Sequence, residues 1–129
     1  MSNRAQKYLA IAATQVANVV GTSGAPIYGG LCHNFPVLVR SLGLCQTLAY
    51  YEAKATQGTA DRRDAYKHRL DDVRAITGIK AESLSTYAAG LSVLDYMQLT
   101  RDVLDAAIFF KRFAVSILKV ENAGSAQED

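Results

Sequence analysis

The chain has 129 residues, half of them hydrophobic, with two cysteines and a formal net charge of +2, a length that suits one domain burying roughly two thirds of its unfolded surface without a disulfide. No apolar run reaches the roughly 18 residues needed to cross a bilayer, Cys32 and Cys45 form no CxxC or other metal-ligand spacing, and no secretory leader precedes Tyr8, so a reducing, cytoplasmic setting is expected. Residues 1–80 carry ten Lys or Arg against five Asp or Glu, and residues 81–129 carry four against seven. This asymmetry fits either a chain that meets a polyanion on one side or one that stacks against its own copies.

Asn3 can cap a first helix running to about Val20, with Tyr8, Ile11, Ala12, Val16 and Val19 facing inward. Arg4 and Lys7 stand in its first turn, where a cation opposes the helix dipole; the placement suits either solvated charge or the approach of an anion. Residues 21–26 (GTSGAP) read as a connector. Phe35 to Tyr51, FPVLVRSLGLCQTLAYY, is apolar nearly all round and reads as a buried helix or helix pair around which the chain gathers. On an unbroken helix His33, Arg40, Thr47 and Lys54 would share one stripe. Gly43 makes a break at residues 41–43 equally plausible, with Pro36 in the first turn of the earlier helix.

Lys54 to Ala60 should be loop, after which Thr59 or Asp61 caps a helix to about Thr77, closed by Gly78. Tyr66, Leu70, Val73 and Thr77 form its buried stripe, with Arg63, Lys67 and Arg74 in a sector beside it. Its other charges, Arg62, Asp64, Arg69, Asp71 and Asp72, are mixed in sign and read as a solvated face. A short helical piece spans about Lys80 to Ala89. Ser92 and Asp95 then start a last helix to about Val120, whose seam is Tyr96, Leu99, Val103, Ala106, Phe110, Phe113, Ile117 and Val120. Met97, Leu104, Ile108 and Val115 form a second apolar group nearly opposite, suited to a partner interface, and Arg101, Asp105, Arg112 and Lys119 run between. The expected fold is all-α: a compact bundle of five or six helices with a long C-terminal helix, one domain over residues 1–121 and a frayed tail over 122–129.

No catalytic constellation emerges. Cys32 and His33 are adjacent and diverge by about 100° on a helix, His68 reads as solvated, and Arg63, Lys67 and Arg69 neutralise Asp64, Asp71 and Asp72. No catalytic residue, metal site or cofactor is therefore expected. A metal protein using Cys32, His33, Cys45 and His68 would have to purify with stoichiometric metal. Membrane-surface binding through Phe109, Phe110, Lys111, Arg112 and Phe113 conflicts with the seam's need for those rings.

Two segments in this order carry a resemblance. FPVLVRSLGLCQTLAYY resembles a signature of the form Leu-Pro-x-Leu-Ile-x-x-Asn-Gly-Leu-x-x-x-Leu-Ala-Phe, with Phe35 in place of Leu and Leu42 in place of Asn. YMQLTRDVLDAAIFFKRFAVSIL resembles a terminal helix with a Thr-Arg-(Glu/Asp) start and a Lys-Arg-Phe-Ala finish, and RAQKYLAIAATQVANVV precedes both as the opening helix. The family is the small subunit of the type III-B CRISPR Cmr effector complex. The resemblance implies an all-α protein without enzymatic activity, several copies of which stack as an inner filament. That filament would lie beside the guide RNA and target RNA and touch the large polymerase-like subunit and the backbone subunits. Arg40, Lys111 and Arg112 lie inside the two motifs and take an RNA-backbone role from it; Lys7, Lys54, Arg63 and Lys67 are added on local charge alone. The alternative is a helical protein–protein adaptor with no RNA contact.

Overall fold

The computed structural model describes residues 3–124, which form six α-helices and no strand: α1 (Asn3–Ala17), α2 (Ala25–Leu42), α3 (Leu44–Lys54), α4 (Ala60–Thr77), α5 (Leu84–Ala89) and α6 (Val93–Ser116). Of the expected tail, residues 125–129 lie outside the described residues.

Local chemistry sets the best-defined boundaries. Thr59 accepts a hydrogen bond from the Arg62 N–H at 3.3 Å to start α4, and Gly78 ends it at φ +76°, a left-handed conformation that costs glycine little. Ser92 accepts from the Asp95 N–H at 3.2 Å to start α6. The two-helix reading of the central stretch holds: Gly43, at φ 88° and ψ 159°, separates α2 from α3. The stripe from His33 to Lys54 is therefore broken, and Thr47 within it is buried, its hydroxyl donating to the Gly43 carbonyl at 2.8 Å.

Four boundaries differ from expectation, the first being the end of α1, at Ala17 rather than about Val20. α2 starts at Ala25, inside the expected connector, with Pro26 in its first turn, so Pro36 lies in the helix interior. α5 starts only at Leu84, where Ser83 caps it and Glu52 of α3 accepts from the Leu84 N–H at 2.7 Å. α6 stops at Ser116, and Lys119 at φ 63° turns the chain back so that Val120 lies on α2. There the His33 ring nitrogen Nε2 meets the Val120 carbonyl at 2.7 Å. A Cβ on Gly29 would stand 2.7 Å from the Val120 side chain, so the glycine keeps the two segments close.

α2 is central, packing against α3, α4 and α6, while α1 packs on α6 and α5 on α3. The core joins Leu31, Phe35, Leu44, Leu48, Tyr51, Tyr66 and Phe110 with Val16 and Val19 from the first segment. On α6 the expected seam faces inward: Val103, Ala106 and Phe110 are buried, and Tyr96, Leu99, Phe113 and Ile117 pack partly buried against the core.

The expected solvated face of α4 is corrected in part. Arg62, Arg69 and Asp72 are buried, Arg69 and Asp72 with only 2% and 1% of their surface exposed. Arg69 Nη1 donates to Asp72 Oδ2 at 2.7 Å, the Tyr28 hydroxyl donates to the same oxygen at 2.6 Å, and Gln15 Nε2 donates to Oδ1 at 3.0 Å. The Arg69 guanidinium also lies 4.8 Å from the Phe110 ring centroid and 5.1 Å from that of Phe35. Such a pair survives burial because partners replace most of the water that each charge loses, although Arg69 Nε has no hydrogen-bond partner among the described residues. Burial pushes the Asp72 carboxyl above the usual range, although Arg69, Tyr28 and Gln15 pull it back. The same burial pushes the Cys32 thiol up to about 12 and raises the Tyr28 and Tyr51 hydroxyls.

Candidate nucleic-acid interface

The seven candidate cations separate into three places. Arg40 is exposed in the last turn of α2, on the same helical stripe as Gly29, His33 and Pro36. Gly29 and His33 touch Val120, so this stripe faces α6. At the other end of the contact the Tyr96 hydroxyl accepts from the Cys45 N–H at 2.9 Å, so α2 and α6 run antiparallel.

Lys111 and Arg112 are exposed on α6, and Arg112 holds its guanidinium 5.7 Å from the Phe109 ring centroid. By the 100° rule Lys111 leans toward α2 and Arg112 toward α1. Between them runs the outward apolar stripe. Met97, Ile108 and Val115 are exposed as expected, whereas Leu104 is half-buried and packs on the core. Val93 and Leu94, the most exposed of the large apolar side chains, extend the stripe at the start of α6. Sequence reading missed these two, although Val93 and Met97 stand four apart.

The second place is the corner between α3 and α4. Lys54 closes α3, Arg63 Nη1 donates to the Gly58 carbonyl at 2.6 Å, and Lys67 is exposed one turn along α4 from Arg63. Tyr50 was not singled out from sequence. It is exposed here, with Lys54 Nζ 5.6 Å from its ring centroid.

The third place is the start of α1. Arg4 Nη1 donates to Asp105 at 2.8 Å, Arg4 also bonds Asp102, and its guanidinium lies 5.1 Å from the Tyr8 centroid. The hydrogen bonds to Asp102 and Asp105 hold the Arg4 pKa above its ordinary value. The anion opposite this helix start is thus supplied by α6. Lys7 lines an open groove with Tyr8, Ile79, Tyr87, Asp95 and Asp102, so two carboxylates share that groove.

The residues considered for chemistry do not converge. Cys32 is buried, and Cys45 is half-buried with its thiol donating to the Ser85 carbonyl at 3.4 Å. His33 is taken up by Val120, and His68 is half-buried with its ring edge-on to Tyr28. Among the described residues no group of three or more His, Cys, Asp or Glu is placed to hold a metal ion, and no helix is long and apolar enough to cross a membrane.

The family model described as "CRISPR-associated protein (Cas_Cmr5)" matches residues 4–117. The CRISPR system Cmr subunit Cmr5 of Thermus thermophilus is 31% identical over 120 residues, covering 92% of this chain and 99% of that protein. The crystal structure of a CRISPR-associated Cmr5 family protein from the same organism matches with a TM-score of 0.77 and 32% identity, again over 92% of this chain and 99% of the other.

Proposed function

The chain belongs to the CRISPR-associated Cmr5 family, the small subunit of the Cmr complex, and from that premise we propose that it acts without catalysis, stacking with its own copies beside the guide and target RNA. The observation that carries this reading is the face where α2 and α6 run side by side. It combines exposed apolar residues Met97, Ile108 and Val115 with exposed cations Arg40 and Lys111, and Arg112 flanks the stripe on its α1 side. An exposed apolar stripe loses water when another protein surface covers it. Flanking cations meet phosphates through charge and counterion release, which accepts any guide sequence.

Within this proposal Met97, Leu104, Ile108 and Val115 meet protein neighbours: the other copies, the backbone subunits and the large polymerase-like subunit. Arg40, Lys111 and Arg112 meet the RNA backbone first, with Lys54, Arg63 and Lys67 as a second group. Lys7 is the weakest of the seven because Asp95 and Asp102 share its groove. The work is done in the cytoplasm, with no cofactor.

The test is a Cmr complex reconstituted with Arg40→Gln, Lys111→Gln and Arg112→Gln together. RNA affinity should fall by a similar factor for unrelated guide sequences, with a shallower dependence on salt. Affinity and salt dependence equal to wild type, in a complex that assembles normally, would instead support the adaptor reading. The exposed apolar stripe favours that second reading to the extent that it needs only protein partners.

A further inference from the structure

The α3–α4 corner presents an exposed aromatic ring with a lysine over it. Tyr50 leaves 43% of its surface exposed. Its inner edge meets Tyr66 at 6.3 Å between centroids and 78° between planes, and Tyr51 at 6.2 Å and 56°. Both of those rings are buried, and Tyr51 is edge-on to Phe35 at 5.3 Å in the core. Tyr50 is thus the outermost ring of a chain whose inner members fix its orientation.

A single exposed tyrosine is ordinary. What distinguishes this one is the charge around it. Lys54 stands over the ring, Arg63 is tied to the adjoining loop, and Lys67 follows one turn on. Two of the nearby carboxylates bond other segments, while Asp64 lies exposed on α4 beside Arg63. Glu52 accepts from Ser85 and from the Leu84 N–H at the start of α5, while Asp61 accepts from Ser23 at 2.6 Å and lines a cavity of about 110 Å³ with Asp64 and His68. An exposed ring with cations in reach is an arrangement by which proteins hold single-stranded nucleic acid, stacking a base on the ring and meeting phosphates with cations.

We propose that Tyr50 is the stacking platform for one unpaired base of an RNA strand, with Lys54, Arg63 and Lys67 meeting the phosphates beside it. The proposal rests on the RNA-contact reading above and adds a face-on base contact, indifferent to sequence because every base offers a π face. Lys54's flexible stem lets its ammonium move from the ring to a phosphate as the base arrives.

The test uses the reconstituted complex in three forms besides wild type: Tyr50→Phe, Tyr50→Leu, and Lys54→Gln with Arg63→Gln and Lys67→Gln. RNA affinity should be kept by Tyr50→Phe and weakened about five- to hundredfold by Tyr50→Leu. A wild-type complex carrying 4-thiouridine at successive RNA positions should crosslink to Tyr50 under long-wave ultraviolet light, a readout that stands even if Tyr50→Leu fails to fold. Unchanged affinity in Tyr50→Leu with no crosslink at Tyr50 overturns the platform. If the triple variant is then weakened, the phosphate contacts remain; if it too is unchanged, RNA contact at this corner falls with it.

Discussion

Two helices of this bundle, α4 and α6, depart most from the rule of apolar inside and charged outside, and they depart in opposite senses. α4 buries Arg69 and Asp72, and α6 exposes Val93, Leu94, Met97 and Ile108. On α4 every partner that compensates the charges comes from the same chain: Tyr28 and Gln15 bond the carboxylate, while Phe35 and Phe110 face the guanidinium. On α6 the stripe has water against it. The first exception is completed within the fold, and the second stays exposed on this chain, where the proposal places a neighbour. Removing a side chain from α4 should therefore cost folding stability, whereas changing the outward stripe of α6 should cost assembly.

The largest effect is expected at Arg69. Arg69→Met strands the Asp72 carboxylate in the core and should lower unfolding stability by about 3–5 kcal/mol in a urea titration. Adding Asp72→Leu should recover much of that loss, because no unpaired charge then remains. A single variant as stable as wild type would dissolve the contrast with α6.

Raising the pH acts on the same interior. Cys32, Tyr28 and Tyr51 have folded pKa values above their ordinary ones because burial penalises their anions. The folded state therefore keeps protons that the unfolded chain releases from about pH 9 upward. Stability should fall as pH rises through that window, and melting midpoints measured from about pH 8 to 11 would show it.

A smaller loss is expected where α6 ends. Gly29→Ala drives a Cβ into Val120 at 2.7 Å and should cost about 1–3 kcal/mol, less what alanine's better helix propensity returns. Val120→Gly in the same chain should relieve the clash, which a double-mutant cycle would detect. Thr59→Ala, which removes the α4 cap, should cost about 1 kcal/mol by the same unfolding assay.

Local signals were legible in the sequence where a side chain or a glycine acts on its own helix. Thr59, Gly78 and Ser92 mark the ends of α4 and α6 as expected, and the α6 seam faces the core. What was not legible depends on distant partners. The start of α2 was hidden because residues 21–26 read as a connector and the central stretch was begun at Phe35, and only the approach of Val120, about 90 residues on, gives Gly29 its place in a helix. The burial of Arg69 was hidden by its mixed-sign neighbours, although Ala65 and Ile76, buried on the same side, mark where the centre of that face lies.

At the site, the outward group on α6 was readable from its spacing. Which cations share a face was not, because that depends on the antiparallel register of α2 and α6. Tyr50 looked like one more member of an apolar run, and only its position at the α3–α4 corner separates it from the buried rings beside it.

The most direct measurement is made on one variant, Met97→Glu with Ile108→Glu, followed in two assays: thermal unfolding of the isolated protein and incorporation into the reconstituted Cmr complex. Unfolding should stay within about 0.5 kcal/mol of wild type, as for exposed positions generally, while incorporation is lost. A variant that unfolds readily, or one that enters the complex as wild type does, would contradict the division between an interior completed within the chain and an α6 face completed by neighbours.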